Sequence, residues 1–316
     1  MQQIHEVAYR LKRDESLPEG IRRIACEEIE AAANHLSKSA HDSEAVHEAR
    51  KSIKKTRALL RIARWELGAS YHAENSLLRD VARRLSPLRD AAALVETCDE
   101  LRRKHGTDGG SRQALTTVRS ILAAHKERAE TEAARSHLAP EVASTLRAYL
   151  EHVAKWPLCT DGFRALRPGI ENMFRVARKG LKRSEADPTP ENFHEWRKRT
   201  KVHWYLTRLL ENLWPDLMQV QKNSLHGLDQ ILGDDHNLAV LQEKLGSDPD
   251  FNVGGLNLKP LHHWIETHQR ELRETAVAEG KRIYGDKPGR AVRRIEHLWE
   301  LWRAEPDEAL PEELAA

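Results

Sequence analysis

The sequence predicts an all-α protein built as two antiparallel helical bundles related by an internal pseudo-twofold repeat. Three observations carry this expectation. Apolar residues recur at helical spacing along nearly the whole chain. Sustained alternation and β-branched clusters, the marks of strands, are scarce. The third is a pattern stated twice, 147 positions apart. Its first copy reads His47-Glu-Ala-Arg50-Lys51-Ser-Ile-Lys54-Lys55-Thr-Arg57, and its second His194-Glu-Trp-Arg197-Lys198-Arg-Thr-Lys201-Val-His-Trp204. At the same offset Leu85 to Leu94 aligns with Leu232 to Leu241. A constant offset over two separated blocks implies two copies of one structural unit.

The elements follow in order. Ser16-Leu-Pro-Glu19 is a capping box with proline inside it, and it opens a helix through roughly Leu36. Asp42 is placed to cap the helix that carries His47. Thr189, followed by Pro190 and Glu191, is placed to cap the helix that carries His194. Breaks fall at His105–Gly110, Trp156–Gly162, Asp187–Pro190, Gly246–Gly255 and Gly285–Gly289. The second of these divides the chain into a half at 1–155 and a half at 156–304, each with about four to five helices. Residues 305–316, acidic and holding Pro306 and Pro311, read as a tail.

Composition bounds the function. Hydrophobic residues at 40% suffice for a core, and 32% charged residues with 5% aromatics suit long amphipathic helices with solvated faces. A net charge of +2 means that any anion binding must come from local segregation of charge. Cys26, Cys98 and Cys159 show no CxxC spacing, so reduced thiols and a cytoplasmic location are expected. The N-terminus lacks the basic and apolar regions of a signal peptide, and no run of 18 apolar residues exists to span a membrane.

The repeated block is cationic on one face. At about 100° per residue, Arg50, Lys54, Arg57 and Arg61 fall within about 60° of one another, with His47 on the edge of the stripe. Ala49, Ile53, Leu60 and Ala63 lie opposite, facing a core. From His47 to Arg64 there are seven Lys or Arg and one acid, Glu48. His194, Arg197, Lys201 and Arg208 repeat the stripe, with Trp204 in the place of Arg57. Like charges three and four apart on a helix repel by a few tenths of a kcal/mol per pair, so an uncompensated row suits a ligand of regularly spaced negative charge. Packing explains why core positions recur in a repeat, but not why surface cations do. His47 and His194 fit either a hydrogen bond between bundles or a phosphate donor. Metal ligation is the weakest reading, because no His or acid lies three or four residues after either and nearby cations would repel a metal ion.

The paired His-x-x-Arg-Lys-x-x-Lys blocks, the segment Leu232-Gly-Asp-Asp-His-Asn-Leu-Ala-Val-Leu241 and the closing Arg293-Arg294 to Leu298-Trp299 resemble the CHAD family, the conserved histidine α-helical domain. The resemblance runs to about Arg303. It implies two four-helix bundles about a pseudo-twofold, a basic groove between them, and binding of inorganic polyphosphate, often at polyphosphate granules. Carried over, the binding residues are His47, Arg50, Lys51, Lys54, Arg57 and Arg61 from the first block. His194, Arg197, Lys198 and Lys201 come from the second. Arg79, Arg83, Arg89, Lys222 and His226 on neighbouring helices extend the surface. The chain departs from the family pattern at Trp204, where Arg is common, and at His236-Asn237, where Arg-Asp is common. The first copy is therefore expected to contribute more. Trp204 and Tyr205 are expected to pack between the halves. No Glu-x-Glu-x-Lys motif of the CYTH domain occurs, so the expectation is a standalone CHAD protein.

Three function classes compete. A non-catalytic polyphosphate binder leads, with no cofactor and no metal. Nucleic-acid phosphates would suit the same stripe, although the first copy lacks interleaved aromatics for base stacking. A metal-dependent phosphohydrolase comes last: there is no Gly-rich loop ending in Gly-Lys-Ser/Thr, no His-Glu-x-x-His and no nucleophile elbow. Asp234-Asp235-His236 reads as a helical turn capped by carboxylates, and His262, His263 and Glu266 as at most an adventitious metal site.

Overall fold

Helix α2 (Ser43–Ile62), moved on by 147 positions, has the bounds of α9 (Pro190–Leu209). The match extends along the chain. The computed structural model describes residues 9–38, 43–105, 109–252 and 256–305. Among them are twelve α-helices and no strand. In the first half α1 (Leu17–Lys38) packs on α2 and on α7 (Leu138–Ala154), and α5 (Ser86–His105) packs on α6 (Gly109–Arg135). In the second, α8 (Phe163–Ala186) packs on α9 and on α12 (Pro288–Ala304), and α10 (Pro215–Ser247) packs on α11 (Lys259–Ile283). Element order and packing partners thus recur in the two halves.

One difference between the halves has a plain cause. The first half has α4 (Ser70–Arg84) and then α5 where the second has the single helix α10, while the short α3 (Arg64–Leu67) corresponds to a 3-10 turn at Glu211–Leu213. Pro87 enters the second position of α5. Without an N–H, and with its ring against the carbonyl four residues back, it ends the preceding helix. Gly233-Asp234 at the equivalent place keeps its N–H groups, and the helix runs on.

The caps behave as the sequence indicates. Ser16 N donates to Glu19 Oε2 at 3.0 Å while Ser16 Oγ accepts from Glu19 N at 3.4 Å. Thr189 Oγ1 accepts from Asn192 N at 3.3 Å. The expected cap at Asp42 lies outside the described residues, as do residues 306–316 of the expected tail and the first eight residues. Asp234 to His236 sit mid-helix in α10, so the expected capped turn there is corrected. Asp235 is instead a buried strut to α11, accepting from Arg273 Nε at 2.7 Å and Gln269 Nε2 at 3.2 Å.

Three apolar clusters hold the helices. The largest takes in Ile24, Ile29, Ile53 and Leu60 from α1 and α2, Trp156, Phe163 and Ile170 past the middle of the chain, and Leu206, Val292 and Trp299 from beyond it. A second joins α5 and α6 to α10 and α11 through Leu94, Cys98, Leu115 and Val118 against Leu238, Leu241 and Ile265. A third lies within the second half around Trp196, Phe193 and Leu228. Burial of each such side chain contributes about 1.5–3 kcal/mol. Ala49, Ile53, Leu60 and Ala63 are all buried, as the helical wheel requires. α2 and α8 meet backbone to backbone at Gly169, where a Cβ would collide with the Ile62 carbonyl.

Candidate phosphate-binding groove

Because their apolar faces turn into the core, α2 and α9, which contact one another, bring their basic faces close together. Among these cations is the Lys54 amine. It keeps solvent contact, yet protein crowds it on several sides: burial, then Arg50, Arg197 and Lys201, lower its pKa from 10.5 to about 8, against the pull of Asp229. Lys54 and Arg197 make no hydrogen bond or ion pair to any described residue. The rings of His47 and His194 make no hydrogen bond either. Burial and then neighbouring cations, Arg89 for His47 and Lys198 for His194, lower both imidazoles below the ordinary histidine value.

The remaining cations are partly spent on the protein, which corrects the expectation of an uncompensated stripe. Lys51 pairs with Glu48 at 3.0 Å, Lys198 with Glu195, and Lys201 with Asp229 at 2.5 Å. Arg50 donates through Nη1 to Ala82 O at 2.6 Å and Ser86 Oγ at 2.7 Å, bracing the break between α4 and α5. Arg57 donates to Asn75 Oδ1 at 3.1 Å, and Arg61 to the Arg57 carbonyl at 3.1 Å. Burial and then the Arg61 charge push the Arg57 guanidinium down to about 10, which leaves it charged at neutral pH. Lys55, next to the stripe, is a core cation: it pairs with buried Glu28 at 2.7 Å.

The two copies differ at Arg50 and Arg197. Ser86, which holds Arg50, corresponds to Gly233 at the offset of 147. A Cβ on Gly233 would lie 3.3 Å from Arg197 Nη2. The glycine removes the hydroxyl acceptor and lets the guanidinium lie against α10 with its donors uncommitted.

A CHAD domain family model matches residues 23–246. The chain belongs to the CHAD domain family. Among solved structures, its fold is similar to the CHAD domain from the plant Ricinus communis, with a TM-score of 0.56 at 18% identity, over 92% of this chain and 94% of that one. It is also similar to PptA from Streptomyces chartreusis, with a TM-score of 0.58 at 15% identity, over 86% of this chain and all of that one. At those identities the likeness is one of fold. No curated protein matches the sequence.

Within this CHAD fold the neighbouring cations sit at the margin. Arg79 and Arg83 both pair with Asp80, at 3.1 and 3.3 Å, Arg89 with Glu96 at 2.6 Å, and Lys222 with Glu211 at 2.8 Å. His226 stacks on Trp204, with ring centroids 5.6 Å apart. Trp204 packs against both the largest cluster and that of the second half, with Lys201 4.4 Å and Arg208 5.1 Å from its ring, and Tyr205 is buried beside Tyr9. His262, His263 and Glu266 do not assemble; among the described residues the group with metal-ligand spacing is His125, Asp248 and Asp250. Its carboxylates are already met by Lys244 at 2.6 Å and Arg128 at 2.8 Å, which makes it a poor cation site. Sequence reasoning took His236 only as a departure from the family's Arg and gave it no place in the site; its ring lies on that of His194 with centroids 4.0 Å apart. The signal was present, since 236 aligns with Arg89.

Proposed function

We propose that the protein binds inorganic polyphosphate, without turning it over, in the groove between α2 and α9, and that this binding brings it to polyphosphate granules. The observation that carries the reading is Lys54: an amine from one half, without an acid of its own, held among Arg50, Arg197 and Lys201 from both halves. Such convergence costs stability until anionic charge arrives. A flexible chain with one negative charge per phosphate supplies it, and is dense enough in charge to meet each of a row of cations ~5–6 Å apart. The family membership and the absence of any catalytic motif in the sequence point the same way.

The test is calorimetric titration with long-chain polyphosphate at several salt concentrations. Affinity is expected to fall steeply with salt as counterions are released. Arg50→Glu with Lys54→Glu is expected to abolish binding with helicity retained. Binding that ignores salt or survives this double change removes the groove as the site. Preference for RNA in direct competition would move the reading to nucleic acid, and metal-dependent release of phosphate would make the protein an enzyme.

A further inference from the structure

We propose that His194 and His236 form a titratable phosphate subsite, one that takes up protons as the polyanion binds, so that the second half of the groove grips more tightly as pH falls. This rests on the polyphosphate reading above and adds to it how that site is regulated.

The geometry carries the argument. The two imidazoles stack at 4.0 Å with planes 28° apart. Neither makes a hydrogen bond to a described residue, and Nδ1 of His194 is closed off from solvent with no partner. A structural histidine in the same protein looks different: His203 is buried with one ring nitrogen at 3.3 Å from Tyr284 Oη and the other at 3.2 Å from Gln221. The stacked pair therefore has polar capacity that the fold leaves unused.

The charges around the pair are cationic. From α9 it faces Arg197 and Lys198, with Glu195 acting on His194 in the opposite sense. From α2 comes Lys54. On α10 itself Asp235 is turned to Gln269 and Arg273 of α11. From α5 the charges Arg89 and Asp90 act on the neighbouring His47 and Arg50 side. At the nearby end of α8, Glu185 is paired with Lys281 at 2.5 Å. Burial first, and then the His194 ring and these cations, hold His236 down to about 3, and burial, then Lys198 and Arg197, hold His194 below its ordinary value, so both are neutral in the free protein at pH 7.

The first copy handles the same place differently. Position 236 corresponds to Arg89, a permanent cation. The second copy has replaced that fixed charge with one that depends on pH. Phosphate oxygens in the groove offset Lys54, Arg197 and Lys198 and offer acceptors to the rings, so binding raises both imidazole pKa values. The sign follows: affinity is flat above the bound-state values, and it rises as pH falls towards the free-state values. The rise is up to about tenfold per pH unit for each proton taken up.

The experiment is calorimetry of the full chain with long-chain polyphosphate at pH 7.5, 6.5 and 5.5, at fixed salt, in buffers of different ionisation enthalpy. Long chains keep the titrating terminal phosphates a minor term. The wild type is expected to take up protons and bind more tightly at the lower pH. His236→Arg, which restores the first copy's fixed charge, is expected to flatten the pH slope. His236→Asn is expected to lose uptake and low-pH affinity together, with circular dichroism confirming that both variants are folded. Binding with no buffer-dependent heat and no pH slope overturns this inference while leaving the polyphosphate reading intact. No binding at any pH overturns both.

Discussion

Lys54→Met is expected to raise the stability of the free protein while weakening its hold on polyphosphate. The amine sits at about 8 in the folded chain against 10.5 ordinarily, a difference of ~3 kcal/mol. Because the group keeps solvent contact, screening reduces the usable part to ~1 kcal/mol. The sign is fixed by the direction of the shift. Below pH 8 the amine is charged in both folded and unfolded chains, and only the folded one suffers the crowding. As pH rises through the interval from 8 to 10.5, the folded chain sheds the proton and the penalty disappears. Methionine should therefore raise the melting temperature by roughly 2 °C or less at pH 7. That advantage should fade in alkali and in high salt. In titrations the salt slope should drop by roughly one phosphate contact. Thermal melts across pH and calorimetry across salt check the two halves. A variant less stable at pH 7, or one whose advantage persists at pH 11, refutes the crowding argument. An unchanged salt slope removes Lys54 from the ligand.

Other perturbations separate fold from site. Gly233→Ala should raise helix stability by up to ~1 kcal/mol in urea melts, yet lower polyphosphate affinity several-fold by displacing Arg197. Gly169→Ala should destabilise by several kcal/mol, read as a loss of folded yield or melting temperature, since its Cβ meets backbone at Ile62 that cannot step aside. Thr189→Ala should cost about 1 kcal/mol through the lost cap, with the salt slope of binding unchanged. Glu28→Gln should cost roughly 3–5 kcal/mol by stranding Lys55 in the core, and urea denaturation measures it.

Much of the architecture was legible because the signals are local. Apolar spacing placed Ala49, Ile53 and Leu60 inward, Thr189 and Ser16 marked helix starts, and the offset of 147 carried α2 onto α9. The site was legible as a face and not as a set of free charges. A helical wheel shows Lys201 and Lys222 as cations but cannot show Asp229 and Glu211, which meet them from positions distant in sequence. The wheel sets Lys55 off the stripe that holds Lys54, but it cannot show that Lys55 is sunk against Glu28. His236 was read only as a lost cation, because an imidazole in place of Arg89 looks like one until the stacked partner is seen.

The clusters that cross the middle of the chain have a practical side. The family is recognised over residues 23–246, but Val292, Leu298, Trp299 and Trp302 from α12 complete the same core as Ile24 and Leu60. A fragment trimmed to the recognisable region would carry every predicted groove cation and still lack the indoles that seal its interior. The shortest piece that folds is therefore longer than the piece that identifies it, and domain swaps or fusions with this protein should be cut beyond Ala304.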